Sequence, residues 1–158
     1  TTGCAEYFEE KSDPERIIDI VRASSSLPFV TPISYVDGRP MLDGGIADSI
    51  PVVRATEQGF DNCLVVLTRN AGYRKSAKPS FVPWFAYRRY PMLQEAIRHR
   101  NAEYNKQMEL VERLESEGRI TVIRPERPIE VGRMERDTHR LLALYNEGYD
   151  LASKVEIG

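Results

Sequence analysis

Much of what an enzyme of this size would carry is missing from the sequence. It holds no Gly-x-Ser-x-Gly elbow, no phosphate-cradling glycine loop and no nucleophile beside a histidine. No apolar run approaches the roughly 18 residues that span a bilayer, and no signal peptide is visible at the start. Cysteine is scarce. Cys4 and Cys63 stand alone, without CxxC spacing, and are expected as buried thiols rather than as a disulfide framework. That usage favours a reducing, cytoplasmic compartment. The two histidines, His99 and His139, fall on separate predicted helices among arginines, with no Cys or acid at ligand spacing. Both read as surface residues, and neither a metal nor a cofactor is expected.

What is present describes an ordinary globular chain. Its 158 residues suffice for one compact domain, hydrophobic content is 41% and the formal net charge is −2. It begins Thr-Thr-Gly without Met, which permits tag removal, processing or a piece of a longer protein. Charge is unevenly spread. Between Arg69 and Arg100 eight basic residues face a single acid, Glu95, with Tyr73, Phe81, Trp84, Phe85, Tyr87 and Tyr90 interleaved. Such a stretch could meet nucleic-acid phosphates or anionic lipid head groups. Equally, its aromatics could anchor a long connection to the body while its charges stay solvated.

Along the chain, residues 1–10 look like the tail of a strand or hairpin. Ser12, Asp13, Pro14 and Glu15 form a strong helix start, and the following helix is apolar on most of its circumference and so expected to be largely buried. Pro28 and Pro32 make 29–33 an irregular apolar link. Residues 34–36 and 40–42 read as short strands around an Asp37-Gly38 turn. A short helix is expected over 52–58, closed by Gly59. The near-continuous apolar run 62–68 predicts a strand covered on both faces. Pro91 opens a long amphipathic helix ending at Gly118, with Leu93, Ile97, Tyr104, Met108, Val111 and Leu114 on one face. A strand over 119–124 and a helix over roughly 134–154 complete the chain. The alternation predicts an α/β fold, with layered helices around a parallel or mixed sheet, as a single domain over 1–158. Two confident strands and a hairpin make a thin sheet, which points to missing strands.

The residue best placed for chemistry is Asp43, at a strand end before Gly44 and Gly45. The glycines can take backbone angles closed to other residues and permit close approach. A carboxylate fixed there could act as general base toward a hydroxyl. The same triplet is also ordinary turn chemistry. Asp37, Asp43 and Asp48 crowd a glycine-containing stretch, but their spacing does not match a calcium loop.

The stretch from Ala23 through Thr31-Pro32, Asp37-Gly38-Arg39-Pro40 and Asp43-Gly44-Gly45 to Pro51 resembles the C-terminal half of a bacterial patatin-like phospholipase. Later segments, 64–69, 124–125, 131–136 and 144–149, are similar to a bacterial branch of that family, so the resemblance covers nearly the whole chain. It implies that Asp43 pairs with a serine nucleophile as the acid of a Ser–Asp dyad, supported by Gly44 and Gly45. It also implies a C-terminal portion of a patatin-like fold, with the serine elbow and a glycine-rich oxyanion loop N-terminal to this segment. The implied activity is hydrolysis of lipid or carboxyl esters by the intact protein, this chain alone being inactive. From its composition alone, the basic-aromatic segment 69–100 could add peripheral membrane contact, and no nucleic acid is expected as partner. The alternatives are a non-catalytic interaction domain or a nucleic-acid-binding domain using 69–100.

Overall fold

A proline that supplies the fixed φ of a first helical turn, after an aspartate that caps it, starts helix α1, Pro14–Ser24, in the computed structural model, which describes residues 2–60, 62–132 and 135–155. The cap is Asp13, whose carboxylate accepts from the amides of Glu15 and Arg16. The fold is α/β. After α1 come strands β1, Ser34–Val36, and β2, Arg39–Met41, then a 3₁₀ turn, Gly44–Ile46, and helix α2, Val52–Glu57. Strand β3, Cys63–Val66, the long helix α3, Pro91–Ser116, strand β4, Ile120–Ile123, and helix α4, Thr138–Ser153, follow. Among the described residues the strands form two separate pairs, β1–β2 antiparallel and β3–β4 parallel.

The chain divides into two units. The first comprises 1–51 with 75–108, the second 52–74 with 109–158, and α3 contributes to both. In the first, Asp37 (φ +51°) and Gly38 (φ +73°) make the left-handed two-residue turn that a hairpin's twist demands. Helix α1 packs on β1 and on the 3₁₀ turn. Its arginine Arg16 ties the hairpin down, with Nε and NH2 on the two carboxylate oxygens of Asp37 at 3.1 and 2.9 Å and NH1 on Glu10 at 2.7 Å. The core of this unit gathers Ile46, Val82, Leu93 and Ile97, with Leu42, Tyr87 and Tyr90 packed against it.

In the second unit β3 and β4 run in register from Cys63 opposite Ile120 to Val66 opposite Ile123, extended by the Leu67 amide on the Ile123 carbonyl. Helix α2 packs on β3. Arg74 grips Glu112 through two hydrogen bonds of 3.0 and 2.6 Å, and Arg124 pairs with Glu115. Asp137 caps α4 by accepting from the His139 amide. That cap sets the helix start at Thr138, later than the expected 134, and Met134 itself lies outside the described residues.

Helix α3 matches its expected face closely: Leu93, Ile97, Tyr104, Met108, Val111 and Leu114 are all buried. Other expectations are corrected. Residues 2–10, read as the tail of a strand or hairpin with an upstream partner, pair with no strand among the described residues, and their side chains bond to the body. Tyr7 donates to Asp48, Glu6 pairs with Arg39, and the Phe8 ring lies beneath the guanidinium groups of Arg16 and Arg39. Helix α1 is not largely buried: β1 and the 3₁₀ turn cover the side with Ala23, while Ile17, Ile18 and Val21 stay exposed. Strand β3 is not covered on both faces, since Leu64 and Val66 are exposed. Helix α4 buries none of its residues. Both cysteines are free thiols, but Cys4 is exposed rather than buried.

The Glu10–Arg16–Asp37 network makes the hairpin acid-sensitive. Amide donors, Ser12 first, together with Arg16, pull Glu10 down from 4.5 to about 2, and Arg16 lowers Asp37 in the same direction. A depressed carboxyl stabilises the fold above its unfolded pKa and loses that contribution as pH falls through the folded value. Urea melts should therefore show wild type more stable than Glu10→Gln above pH 4.5, the gap closing as pH falls toward about 2. A gap that stays constant across this window would detach Glu10 from the network.

Candidate active site

Asp43 is fixed from both sides of its own backbone. Its amide donates to the carbonyl of Ser26 at 2.8 Å, and its carbonyl accepts from the Ile46 amide at 3.2 Å. Ser26 is itself buried, its hydroxyl bonded to the Arg22 carbonyl at 2.8 Å and shared with the Ser34 hydroxyl at 2.7 Å. One serine thus joins the end of α1, the start of β1 and the second residue after β2. The Asp43 side chain caps the 3₁₀ turn, Oδ1 accepting from the Gly45 amide at 2.7 Å. Among the described residues Oδ2 takes no hydrogen bond.

The glycines serve differently from the sequence expectation. Neither Gly44 nor Gly45 is among the positive-φ glycines, so backbone angles do not explain them. A Cβ on Gly45 would sit 3.0 Å from Asp43 Oδ1, whereas one on Gly44 would meet only the Ser24 hydroxyl at 3.8 Å. A side chain at 45 would therefore crowd the capping carboxylate, which would have to give by a few tenths of an ångström. Gly44 has room.

The loop beyond Asp43 is held by α3. Arg100 Nε donates to the Gly45 carbonyl at 2.9 Å, which also accepts from the Ser49 hydroxyl at 2.8 Å. One turn pair further along the helix, Gln107 Oε1 accepts from the amides of Ser49 and Ile50 at 3.2 and 3.0 Å, and its Nε2 donates to Asp48 at 2.7 Å. Backbone groups of a partly buried loop need such partners. Arg100 and Gln107 were not singled out from the sequence, though a signal existed. With Leu93, Ile97, Tyr104, Val111 and Leu114 they complete an alternating 4-3 spacing, and they are its two polar members.

Asp43 lines a cavity of about 250 Å³ walled by residues 3–8, by Ile20, Ala23 and Ser24 of α1, by residues 41–44, 46 and 47, and by Leu93 of α3. Ligand pockets usually start near 300 Å³, so the volume is at the small end. A half-buried carboxylate with one oxygen locked and the other available can take a proton from a hydroxyl about 2.6–3.2 Å away. No serine of the described residues hydrogen-bonds to it. Ser24 lines the same cavity without bonding to Asp43, Ser25 is bonded to the Val21 carbonyl, and Ser76 accepts from the Lys78 amide.

The remaining candidates disperse. Asp37 belongs to Arg16 and Asp48 to Gln107 and Tyr7, so the three crowded acids face three different partners. Among the described residues no group of three His, Cys, Asp or Glu side chains could hold a metal ion. His99 does have an acid one turn back: its Nε2 lies 2.8 Å from Glu95, which His99 and Arg98 hold below its ordinary carboxylate value. His139 lies in the first turn of α4, where its amide donates to the cap Asp137. The basic segment splits, Tyr87 and Tyr90 packing on the core while Phe81, Trp84 and Phe85 stay exposed. No helix among the described residues is long and apolar enough to cross a membrane.

Comparison with known proteins adds to this geometry. Residues 2–56, which contain α1, the hairpin and Asp43, match the model of the patatin-like phospholipase family. Residues 90–155, spanning α3 to α4, match a domain of unknown function, DUF6363. The uncharacterized protein YjjU of Escherichia coli (strain K12) is 29% identical over 115 residues, which cover 71% of this chain and 32% of that protein. The chain thus spans about a third of that curated relative. No solved structure matches. The first match is a likeness to the patatin-like phospholipase family over the segment that carries Asp43.

The two glycines separate experimentally. Gly45→Ala should lower the thermal midpoint by several degrees, equivalent to about 1–3 kcal/mol of overpacking, while Gly44→Ala stays close to wild type. Calorimetry of both variants checks this. Equal effects would remove the steric role of Gly45.

Proposed function

We propose that this chain carries the acid of a patatin-like serine acyl hydrolase acting on lipid or carboxyl esters, with Asp43 as the general base of a Ser–Asp dyad. The observation that carries the proposal is the mounting of Asp43: amide on Ser26, Oδ1 on the Gly45 amide, Oδ2 available, beside a cavity. The family match over 2–56 supports it, as does the third of a longer relative that the chain spans. In this proposal the nucleophilic serine and the oxyanion donors belong to a part of the intact protein N-terminal to these residues.

The chemistry assigned to Asp43 is proton transfer. Oδ2 takes the serine hydroxyl proton as the oxygen attacks the ester carbonyl, and the developing oxyanion is held by backbone donors. Collapse of the tetrahedral species breaks the ester C–O bond, and the proton passes to the departing alkoxide, leaving an acyl-serine. Water then gives its proton to Asp43, attacks the acyl carbon and releases the acid, the proton returning to serine. Fixing Oδ1 limits the carboxylate to one orientation, which preorganises the transfer without an intervening imidazole.

Asn accepts the same capping bond as Asp, so Asp43→Asn removes the base and spares the turn. In the intact protein it should lower hydrolysis of a short p-nitrophenyl ester by about 10²–10⁴-fold with the melting temperature preserved. Turnover at the wild-type rate would leave Asp43 as a turn residue only.

A further inference from the structure

We propose that residues 78–89 form a docking surface for anionic lipid bilayers, Phe81, Trp84 and Phe85 entering the head-group region while Lys78, Arg88 and Arg89 meet its negative charge. The surface shares a lipid partner with the acyl-hydrolase proposal but is carried by different residues. It starts from exposure that the local structure enforces. Phe81, Trp84 and Phe85 are 84%, 75% and 64% exposed, although their neighbours are firmly held. The Ser80 amide donates to the Arg98 carbonyl, Val82 is buried in the core, and Gln94 donates to the Ala86 carbonyl at 2.6 Å. Tyr87 and Tyr90 pack on that same core. A segment fixed at 80, 82, 86, 87 and 90 holds 81, 84 and 85 outward.

A second loop adds to the apolar area. The Tyr87 hydroxyl accepts from the Phe29 amide at 3.0 Å, and the two rings lie 5.3 Å apart, which brings the exposed Phe29 and Val30 beside the turn. Both Phe29 and Tyr87 sit at positive φ, +66° and +56°, a conformation that costs bulky residues energy and persists only where surroundings impose it. Exposed aromatic clusters of this kind mark interaction surfaces.

The charges were sorted by the fold. Of the eight basic residues between 69 and 100, Arg74 pairs with Glu112, Lys75 lies over the Tyr104 ring, and Arg98 pairs with Glu95. Arg100 holds the Gly45 carbonyl and Arg69 covers Tyr73. Among the described residues no ion pair engages Lys78, Arg88 or Arg89, and these are the three that lie among the exposed aromatics. Cations beside exposed Trp and Phe suit the membrane interface, where rings sit at head-group level and basic groups meet anionic lipid. A nucleic acid is a poorer fit. Stacking bases need open aromatic faces, and one face of the Trp84 ring is taken by Arg88 at 5.4 Å, with Phe85 edge-on at 6.0 Å.

The test is co-sedimentation of the protein with vesicles of phosphatidylcholine mixed with phosphatidylserine, paired with fluorescence of Trp84, the sole tryptophan of the sequence. Binding with a blue shift that Trp84→Phe removes is expected. Exchanging Lys78, Arg88 and Arg89 for Gln should weaken it about fivefold per charge. Exchanging Phe81, Trp84 and Phe85 for Ser should weaken it on the order of tenfold or more while thermal melts stay unchanged. Binding unchanged in both triple variants would overturn the proposal. So would equal binding to phosphatidylcholine alone, or steeply salt-dependent oligonucleotide binding without vesicle binding. Because no turnover is read, failure here leaves the acyl-hydrolase proposal intact, and failure of the Asp43→Asn test leaves this surface intact.

Discussion

A loop leaving a strand must find partners for its backbone polar groups, and in the first unit one helix face supplies the side-chain partners from outside the loop. Arg100 and Gln107 satisfy a carbonyl and two amides of the segment after Asp43, and Gln107 also binds the Asp48 carboxylate. Between them Tyr104 is buried, so these polar contacts are made beside apolar packing rather than in open solvent. Partly buried hydrogen bonds of this type contribute modestly when made and cost more when one partner is lost. The Asp43 geometry follows from this constraint. With the far end of its loop anchored on α3 and the near end on Ser26, the 3₁₀ turn has little choice of position, and Oδ1 meets the Gly45 amide.

Local signals in the sequence were sufficient wherever local chemistry decides structure. The Asp37-Gly38 turn, the Asp13-Pro14 helix start and the 3.6-residue spacing of the long helix each specify an element from a few adjacent residues. Asp43 itself was legible as a residue between a strand and two glycines. Its partners were not, because Ser26, Arg100 and Gln107 are 17, 57 and 64 positions away and only the tertiary arrangement brings them in. Arg100 and Gln107 did leave a trace, as polar residues at apolar positions of a regular pattern. The reason for Gly45 was hidden as well, since its neighbour is a carboxylate oxygen rather than a special backbone angle.

Burial was the least legible property. An apolar residue becomes core only if another element covers it, and Ile18 and Val21 of α1, Leu64 and Val66 of β3, and Leu142 and Tyr145 of α4 are exposed despite apolar patterning. Interspersed aromatic and basic residues gave the same ambiguity in 69–100, where a single composition covers two behaviours. Tyr87 and Tyr90 anchor the segment, and the residues around them are held outward by that anchoring. Asp43 and the aromatic turn share one core, because Leu42 and Ile46 flank Asp43 and pack with Val82, Tyr87 and Tyr90. The exposed aromatic turn and the Asp43 carboxylate are thus supported by the same few apolar side chains.

The central claim is that Asp43 serves a serine outside these residues, and the rate of covalent labelling of the intact protein by a fluorophosphonate measures that most directly. The account predicts that the probe modifies one serine N-terminal to Thr1, and that Asp43→Asn slows labelling about a hundredfold or more, the scale of a lost general base. Labelling of Ser24, or labelling of the upstream serine at an undiminished rate in Asp43→Asn, would contradict it.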